Sequence, residues 1–211
     1  PTRMELTRLK KKRITAIRGH KLLKDKRDEL MRQFLDLARE NMELRLKVEE
    51  SIKKANTNFV VAKAGMNTET LTTALMATKQ KLELNVDKKN IMSVDIPVYS
   101  VKSKTANPND IYSYGFAFTT GDLDDAVTSL ADIREDMVRL AQIEKSCQLL
   151  SSEIEKTRRR VNALEHVIIP EAQKNIKYIT MKLDENERST QIRLMKVKDM
   201  MLEEAHHYKE K

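Results

Sequence analysis

Residues 23–55 decide the fold, and they read LKDKRDELMRQFLDLARENMELRLKVEESIKKA. Leucine recurs there at every seventh position, at Leu23, Leu30, Leu37 and Leu44. A second apolar series, displaced by four positions, runs from Phe34 through Val48 to Ala55. Side chains at alternating steps of three and four form one stripe along an α-helix, and that stripe needs a matching stripe on another helix. The stretch therefore predicts one helix of a coiled coil.

The same pattern continues outward and returns near the end of the chain. From Thr2 to about Lys63 there is no proline and a single glycine, so the helix is predicted to span this whole segment. A second series of three and four steps runs from about Asp122 to Ala205 and is displaced by about one position after Pro170. Because proline removes a helical hydrogen bond, we expect a kink or local rewinding there. The second helix is the obvious antiparallel partner of the first.

The segment between the two helices has a different composition. Residues 69–84 are predicted to form a short helix capped by the polar run before them. Apolar residues then alternate over 92–98 and again over 112–118, on either side of an Asn-Pro-Asn-Asp turn signal, which predicts a β-hairpin. The fold class predicted is mainly α: a long antiparallel two-helix coiled coil with a small α+β head at the turn. We expect three parts, residues 1–64, 65–121 and 122–211.

Composition excludes several classes of protein. The chain has 4 glycines and 4 prolines in 211 residues, which implies few chain reversals. No apolar stretch approaches the roughly 18 residues needed to cross a bilayer, and no signal peptide is recognised. The single cysteine, Cys147, lacks a partner for a disulfide or a zinc site, which fits a reducing cytoplasm. We therefore expect a cytoplasmic chain without metal or cofactor.

The positive charge of the chain is confined to one end. Residues 1–27 hold eleven lysines and arginines against two acids, a net of +9 within a total of +8. Three interpretations stay open: a solvated helix face, a contact with acidic loops of a partner, and nucleic-acid binding. No glycine-rich phosphate loop follows a strand, and no Ser-His-acid or paired carboxylate set is grouped. The sequence therefore predicts no catalytic site.

Two blocks of sequence resemble a known family. Residues 1–10 read PTRMELTRLK and residues 18–30 read RGHKLLKDKRDEL, which resembles the opening of the D subunit of V-type and A-type rotary ATPases. Residues 155–165 read EKTRRRVNALE, followed by IIP at 168–170, and this block is similar to the C-terminal helix of that family. The head matches only in type, as a short helix and hairpin.

The resemblance implies a central-stalk rotor, whose partners are a hexameric ring of catalytic A subunits and of B subunits, the small F subunit, and an adaptor on the membrane ring. Such a rotor subunit is not itself an enzyme, and it lies peripheral to the membrane within a membrane-bound complex. It couples ATP hydrolysis or synthesis in the ring to ion translocation. A free-standing coiled-coil tether and a basic nucleic-acid binder are the alternatives.

Three sets of contact residues follow from the pattern and the resemblance together. The contact with the stator ring is expected at Arg3, Arg8, Lys12, Arg13, His20, Lys24, Arg27, Met195 and Met201. The contact with the F subunit is expected where apolar residues lie off the seam, at Leu35, Met42, Leu46, Ile52, Val127 and Val138. The head is expected to contact a neighbour through Tyr112, Tyr114, Phe116 and Phe118.

Overall fold

The computed structural model describes residues 1–76, 78–105, 108–115 and 119–209. Its elements follow one another in a simple order: helix α1 (Arg3–Gly65), helix α2 (Thr68–Met76), strands β1 (Leu82–Ile91) and β2 (Val94–Ser103), a 3-10 turn (Pro108–Ile111), helix α3 (Gly121–Ala163), a π-helical turn (Leu164–Ile168) and helix α4 (Ile169–Lys209). The predicted fold class, mainly α with two long antiparallel helices and a small α+β head, is confirmed.

The chain forms two compact units, and α1 and α3 contribute to both. One unit comprises Asp28–Glu155, and the other comprises Pro1–Arg27 together with Lys156–Lys211. In the first unit α1 and α3 pack through the predicted seam: Val48, Ala55 and Ile133 form one buried cluster, with Leu140 packed against it. The heptad series of the sequence therefore does supply the core of this unit.

Polar pairs fix the antiparallel register at the edges of this seam. Lys47 Nζ lies 2.8 Å from Asp136 Oδ2, and Arg139 Nη2 donates to Glu40 Oε1 at 2.6 Å. From the first pair to the second, the residue number falls from 47 to 40 along α1 and rises from 136 to 139 along α3, so the two helices are antiparallel. These residues are largely exposed, and exposed ion pairs contribute only about 0.2–1 kcal/mol each, so the buried stripe supplies most of the stability.

In the second unit the seam continues with smaller and more polar residues. Ala16 of α1 and Val161, Ala172 and Ile179 of the partner helices are its buried apolar side chains. Arg3 pairs with Glu187 at the outer limit of this packing. Beyond that pair every residue from 191 to 202 of α4 is exposed. The part of the predicted apolar series that falls within residues 191–202 therefore does not pack within the described part of the chain.

The helix rewinds just before Pro170, as predicted. Residues 164–168 form one π-helical turn, in which the Ile169 N–H donates to the Leu164 carbonyl five residues earlier. A π turn contains one more residue than the α-helical hydrogen-bond pattern allows. That extra residue explains why the apolar series after Pro170 is displaced by about one position. The flanking residues Ala163 and Ile169 keep right-handed helical dihedrals, so the helix does not end here.

The hairpin pairs different residues from those that the sequence predicted. β1 and β2 are antiparallel, and their register runs from Leu82 opposite Ser103 to Ile91 opposite Val94. Met92 and Ser93 form the turn, with φ of 49° and 71°. Two successive residues with positive φ are characteristic of the tight two-residue hairpin turn, which usually selects Asn or Gly. Here the Asn90 side chain holds the turn, since it accepts the Ser93 N–H at 3.1 Å and donates to Asp95 at 2.6 Å.

Three predictions for the head are therefore wrong in detail. The short helix ends at Met76 instead of continuing to 84, because Leu82, Leu84 and Val86 alternate as a strand does. Met92 and Ser93, the first two residues of the predicted strand 92–98, form the hairpin turn, and the strand begins at Val94. Tyr112 and Tyr114 lie in an irregular segment and not in a second strand, while Phe116 and Phe118 lie outside the described residues.

The tip of the hairpin is part of the core of the first unit, Asp28–Glu155. Val94 and Ile96 are buried in one cluster with Leu30 of α1 and with Leu150 and Ile154 of α3. A hydrogen bond also fixes the position of β2 along α3: the Tyr99 backbone N–H donates to Gln142 Oε1 at 2.9 Å. An isolated two-stranded hairpin is marginal in water, so this packing is what allows the sheet to form.

We predict that Ile96→Ala loosens the hairpin. The Ile96 side chain is 5% exposed, and truncating a buried isoleucine typically costs about 2–5 kcal/mol. Hydrogen–deuterium exchange of the β1 and β2 amides should accelerate, and far-ultraviolet circular dichroism should show that the helices persist. Val86→Ala is the matched control on the same hairpin because Val86 is 55% exposed. Equal exchange in the two variants would contradict the packing role of Ile96.

Candidate interaction surfaces

The C-terminal part of α4 carries a dense group of exposed apolar side chains. These side chains are 50–67% exposed and comprise Ile192, Leu194, Met195, Val197, Met200, Met201 and Leu202. Successive residues of a helix are about 100° apart, so the group surrounds the helix and does not form one stripe. A single partner helix could cover only part of it. Met195 and Met201, both predicted as contact residues, belong to this group.

The predicted basic contact residues divide by exposure. Arg3, Arg8, Lys12 and Lys24 are exposed, while Arg13 and Arg27 are half-buried in the seam. Arg3 and Arg8 form ion pairs within the chain, with Glu187 and Glu5 respectively. The Nε atom of Arg13 is buried and has no hydrogen-bond partner among the described residues. The structure therefore places these cations around α1 and not on one face.

His20 is the predicted seam residue with a defined partner. Its Nε2 lies 3.3 Å from Glu165 Oε2, and the side chain is 23% exposed. Glu165 belongs to the π-helical turn, so this contact joins α1 to the rewound segment. A half-buried histidine beside a carboxylate in a seam fits a packing role, and it leaves His20 only partly accessible to another chain.

The residues predicted for the F-subunit contact fall into two groups. Leu35, Met42 and Leu46 lie on α1 and are 48%, 67% and 59% exposed. Ile52 packs against the cluster of Val48, Ala55 and Ile133, and Val127 packs against the cluster of Ala62, Leu71 and Leu123. The exposed group is a surface available to a partner, whereas Ile52 and Val127 serve the core as well.

Val127 and Val138 line a groove on α3 that sequence reasoning did not anticipate. The groove lies between α3 and the head segments at 78–80 and 111–113, and its other lining residues include Leu130 and Met137. Met137 also lines a second groove, between α1 and α3, together with Ile52. The heptad series could have indicated Leu130 and Met137, because both are apolar and fall outside its core positions.

Tyr112 and Tyr114 attach the head to the first turns of α3. Tyr114 Oη donates to Asp124 Oδ1 at 2.7 Å, and the Tyr112 hydroxyl lies 3.0 Å from the Thr128 hydroxyl. The two rings meet edge to face with centroids 6.2 Å apart. Burial and the Asp124 carboxylate raise the pKa of Tyr114 well above its usual range. These two aromatics therefore hold the head to its own helix.

Two further properties of the described residues bear on function. Among the described helices, none is long and apolar enough to cross a membrane. Within the same part of the chain, no group of three or more His, Cys, Asp or Glu residues is arranged to hold a metal ion. Cys147 is half-buried, and that burial raises the pKa of its thiol.

The helix pair, the docked hairpin and the uncovered end of α4 define a mainly helical coiled-coil protein with a small head. The chain belongs to the ATP synthase D-subunit family, whose family model matches residues 5–199. It is 61% identical over 211 residues to the V-type ATP synthase D subunit of Acetivibrio thermocellus, covering 100% of this chain and 95% of the relative.

Two other relatives have the same description. The V-type ATP synthase D subunit of Clostridioides difficile is 56% identical over 211 residues, covering 100% of this chain and 95% of the relative. That of Clostridium novyi is 55% identical over 205 residues, covering 97% of this chain and 95% of the relative. The resemblance inferred from the two sequence blocks is confirmed, and it extends over nearly the whole chain, including the head.

We predict that the raised pKa of Tyr114 makes the chain less stable in alkali. Above the ordinary tyrosine pKa of about 10, the unfolded chain releases a proton that the folded chain retains. The free energy of unfolding therefore falls as pH rises from there toward the higher folded pKa. Denaturant unfolding in this range should show a shallower fall for Tyr114→Phe than for wild type. Tyr178→Phe, at a 58% exposed position, is the control and should retain the wild-type slope.

Proposed function

We propose that the chain is the non-catalytic central rotor of a V/A-type ATPase. In this role it couples ATP hydrolysis or synthesis in a hexameric ring of A and B subunits to ion translocation through the membrane ring. The small F subunit binds its side, and an adaptor of the membrane ring receives its head. The chain is cytoplasmic and lies peripheral to the membrane as part of a membrane-bound complex. Membership of the ATP synthase D-subunit family supports this proposal.

The observation that carries the proposal is the uncovered end of α4. Its apolar side chains surround the helix and are at least half exposed from Ile192 to Leu202. Exposed apolar surface of this density is typical of a buried interface and not of a free helix. A ring that encloses the helix covers all of its faces at once, whereas a single docked helix covers one.

The basic segment supports the same contact by a different interaction. Residues 1–27 have a net charge of +9, and their cations are distributed around α1. Each exposed ion pair contributes roughly 0.2–1 kcal/mol, so no single lysine or arginine would dominate. A distributed contact of this kind tolerates rotation, because pairs lost on one side of the helix are replaced on another. The expected ring contact thus combines the exposed apolar residues at the end of α4 with the lysines and arginines of residues 1–27 of α1.

Asymmetry of the chain explains how such a rotor could act on identical sites. Two helices have no threefold symmetry, so each of three catalytic interfaces meets a different face. A ligand or partner shifts a conformational equilibrium only by its difference in affinity for the two states. Rotation would change which interface receives which face, and would thereby change nucleotide affinity at each site in turn. The three-part division into 1–64, 65–121 and 122–211 describes the rotor helices and the head in this proposal.

We predict that Met195→Asp and Met201→Asp weaken capture by the A/B ring. Both side chains are exposed in the chain, at 65% and 67%, so neither change should lower helicity or thermal stability. Burying an apolar side chain of this size contributes roughly 1.5–3 kcal/mol, so each variant should bind at least about tenfold more weakly. Capture should be measured by pull-down with purified ring over a salt series, together with ATPase activity.

Met42→Asp is the control for that experiment because Met42 is 67% exposed on α1, near the middle of that helix. It should leave ring capture unchanged. If Met195→Asp and Met201→Asp bind the ring as wild type does, the end of α4 is not enclosed by it. A chain that binds nucleic acid with strong salt dependence and ignores the ring would favour the basic nucleic-acid binder instead. A chain that binds neither would favour the free-standing tether.

The contact with the F subunit gives a separate prediction. Leu46→Glu places a charge on the exposed apolar face of α1, and Val138→Glu places one in the groove on α3. Both should weaken a 1:1 complex with the purified F subunit in a pull-down, and circular dichroism should confirm that the helices remain. Met195→Asp should leave this complex intact, so the two surfaces can be told apart. Unchanged binding of both glutamate variants would place the F-subunit contact elsewhere.

A further inference from the structure

The groove on α3 contains Val138 of the expected F-subunit contact, and it also carries two cations and an apolar wall that this contact does not account for. It is an open groove with a volume of about 480 Å³ beside α3, within the range of small-molecule sites. Five of its apolar lining residues come from α3: Val127, Leu130, Ala131, Met137 and Val138. Ile111 closes the opposite side from the 3-10 turn.

The charged residues of the groove are both cations. Lys79 and Arg134 line it, and no aspartate or glutamate does so among its described lining residues. The Nε atom of Arg134 is buried and finds no acceptor in the described part of the chain. Buried N–H donors in folded proteins are nearly always paired, so the described residues leave the hydrogen-bonding capacity of Arg134 incompletely used.

We propose that this groove binds a single-chain amphipathic anion. Its anionic group would accept hydrogen bonds from Arg134 and an ionic contact from Lys79, and its alkyl chain would lie against the apolar residues of α3. Carboxylates and phosphates are the groups that guanidinium binds best, because both offer charged acceptors in one plane. The combination of an apolar wall and two cations distinguishes this ligand from a neutral lipid and from a small inorganic anion.

The head supplies one wall of the site, so a bound ligand would contact both the head and α3. The 78–80 and 111–113 segments connect the head elements to one another and to α3, and Ser113 donates to the Ala74 carbonyl at 3.3 Å. A bound alkyl chain would therefore bridge α3 and the head. A ligand that contacts both elements stabilises, by mass action, the arrangement in which both contact it. Binding should lower the exchange of amides in these two segments.

The test uses the full chain and decanoate, below its micelle concentration, as the probe. The methyl carbon of Met137 should shift on titration in an NMR spectrum of methyl-labelled protein, whereas that of exposed Met42 should not. Decanol and decyltrimethylammonium test the need for negative charge, and inorganic phosphate tests the need for an alkyl chain. Decanoate should bind at least about tenfold more tightly than each of the three, as expected for a charge-assisted hydrogen bond.

Two variants and one control complete the experiment. Arg134→Gln should weaken decanoate about tenfold and leave decanol unchanged, while Arg139→Gln, on the same helix but paired with Glu40 outside the groove, should match wild type. Ala131→Leu places a larger side chain on the apolar wall of the groove and should weaken both decanoate and decanol binding. The proposal is overturned if decanol binds as tightly as decanoate. It is equally overturned if Met42 and Met137 shift together, or if Arg134→Gln and Arg139→Gln behave alike. None of these outcomes depends on whether the chain binds the A/B ring.

Discussion

The stability of the first unit, Asp28–Glu155, depends on the burial of one apolar stripe between α1 and α3. Leu30 and Leu150 are fully buried, and each leucine buried in this way contributes roughly 1.5–3 kcal/mol. The same two side chains form the surface on which the hairpin tip packs, so the sheet has no core of its own. A strand pair whose apolar residues pack on two helices depends for its stability on those helices being paired. Secondary structure in the head is therefore a consequence of the coiled coil.

The second unit differs in that apolar side chains remain uncovered on all faces of one helix, between Ile192 and Leu202. Its seam is narrow, with Ala16 and Ala172 at buried positions, and its edges carry Arg13 and His20. Small residues bring the helices close but bury little area. A segment built in this way has little buried area of its own to stabilise it. If the proposed ring contact forms, binding there would also stabilise this part of the chain.

The sequence predicted the helices well and the head poorly, for a physical reason. A seven-residue repeat over many turns, as at Leu23 to Leu44, has few competing interpretations. The hairpin turn at Met92 and Ser93 lacks the Asn-Gly signal, since its positive φ angles are held by the Asn90 side chain and by packing of Met92 on the core cluster. Tyr112 and Tyr114 alternate as strand residues do, yet their hydroxyls bond to α3. Arg134 gave no signal, because an orphaned donor becomes visible only when its surroundings are known.

The π-helical turn at Leu164–Ile168 changes the phase of everything that follows it. One additional residue in a helix rotates the downstream side chains by about 100° relative to an uninterrupted α-helix. Ala172 and Ile179 are the buried apolar residues that follow this turn, and Val161 is the buried apolar residue that precedes it. The turn therefore determines which side chains of α4 lie on each face of the helix. Deleting a single residue within it would preserve the helix while turning a different set of side chains toward α1.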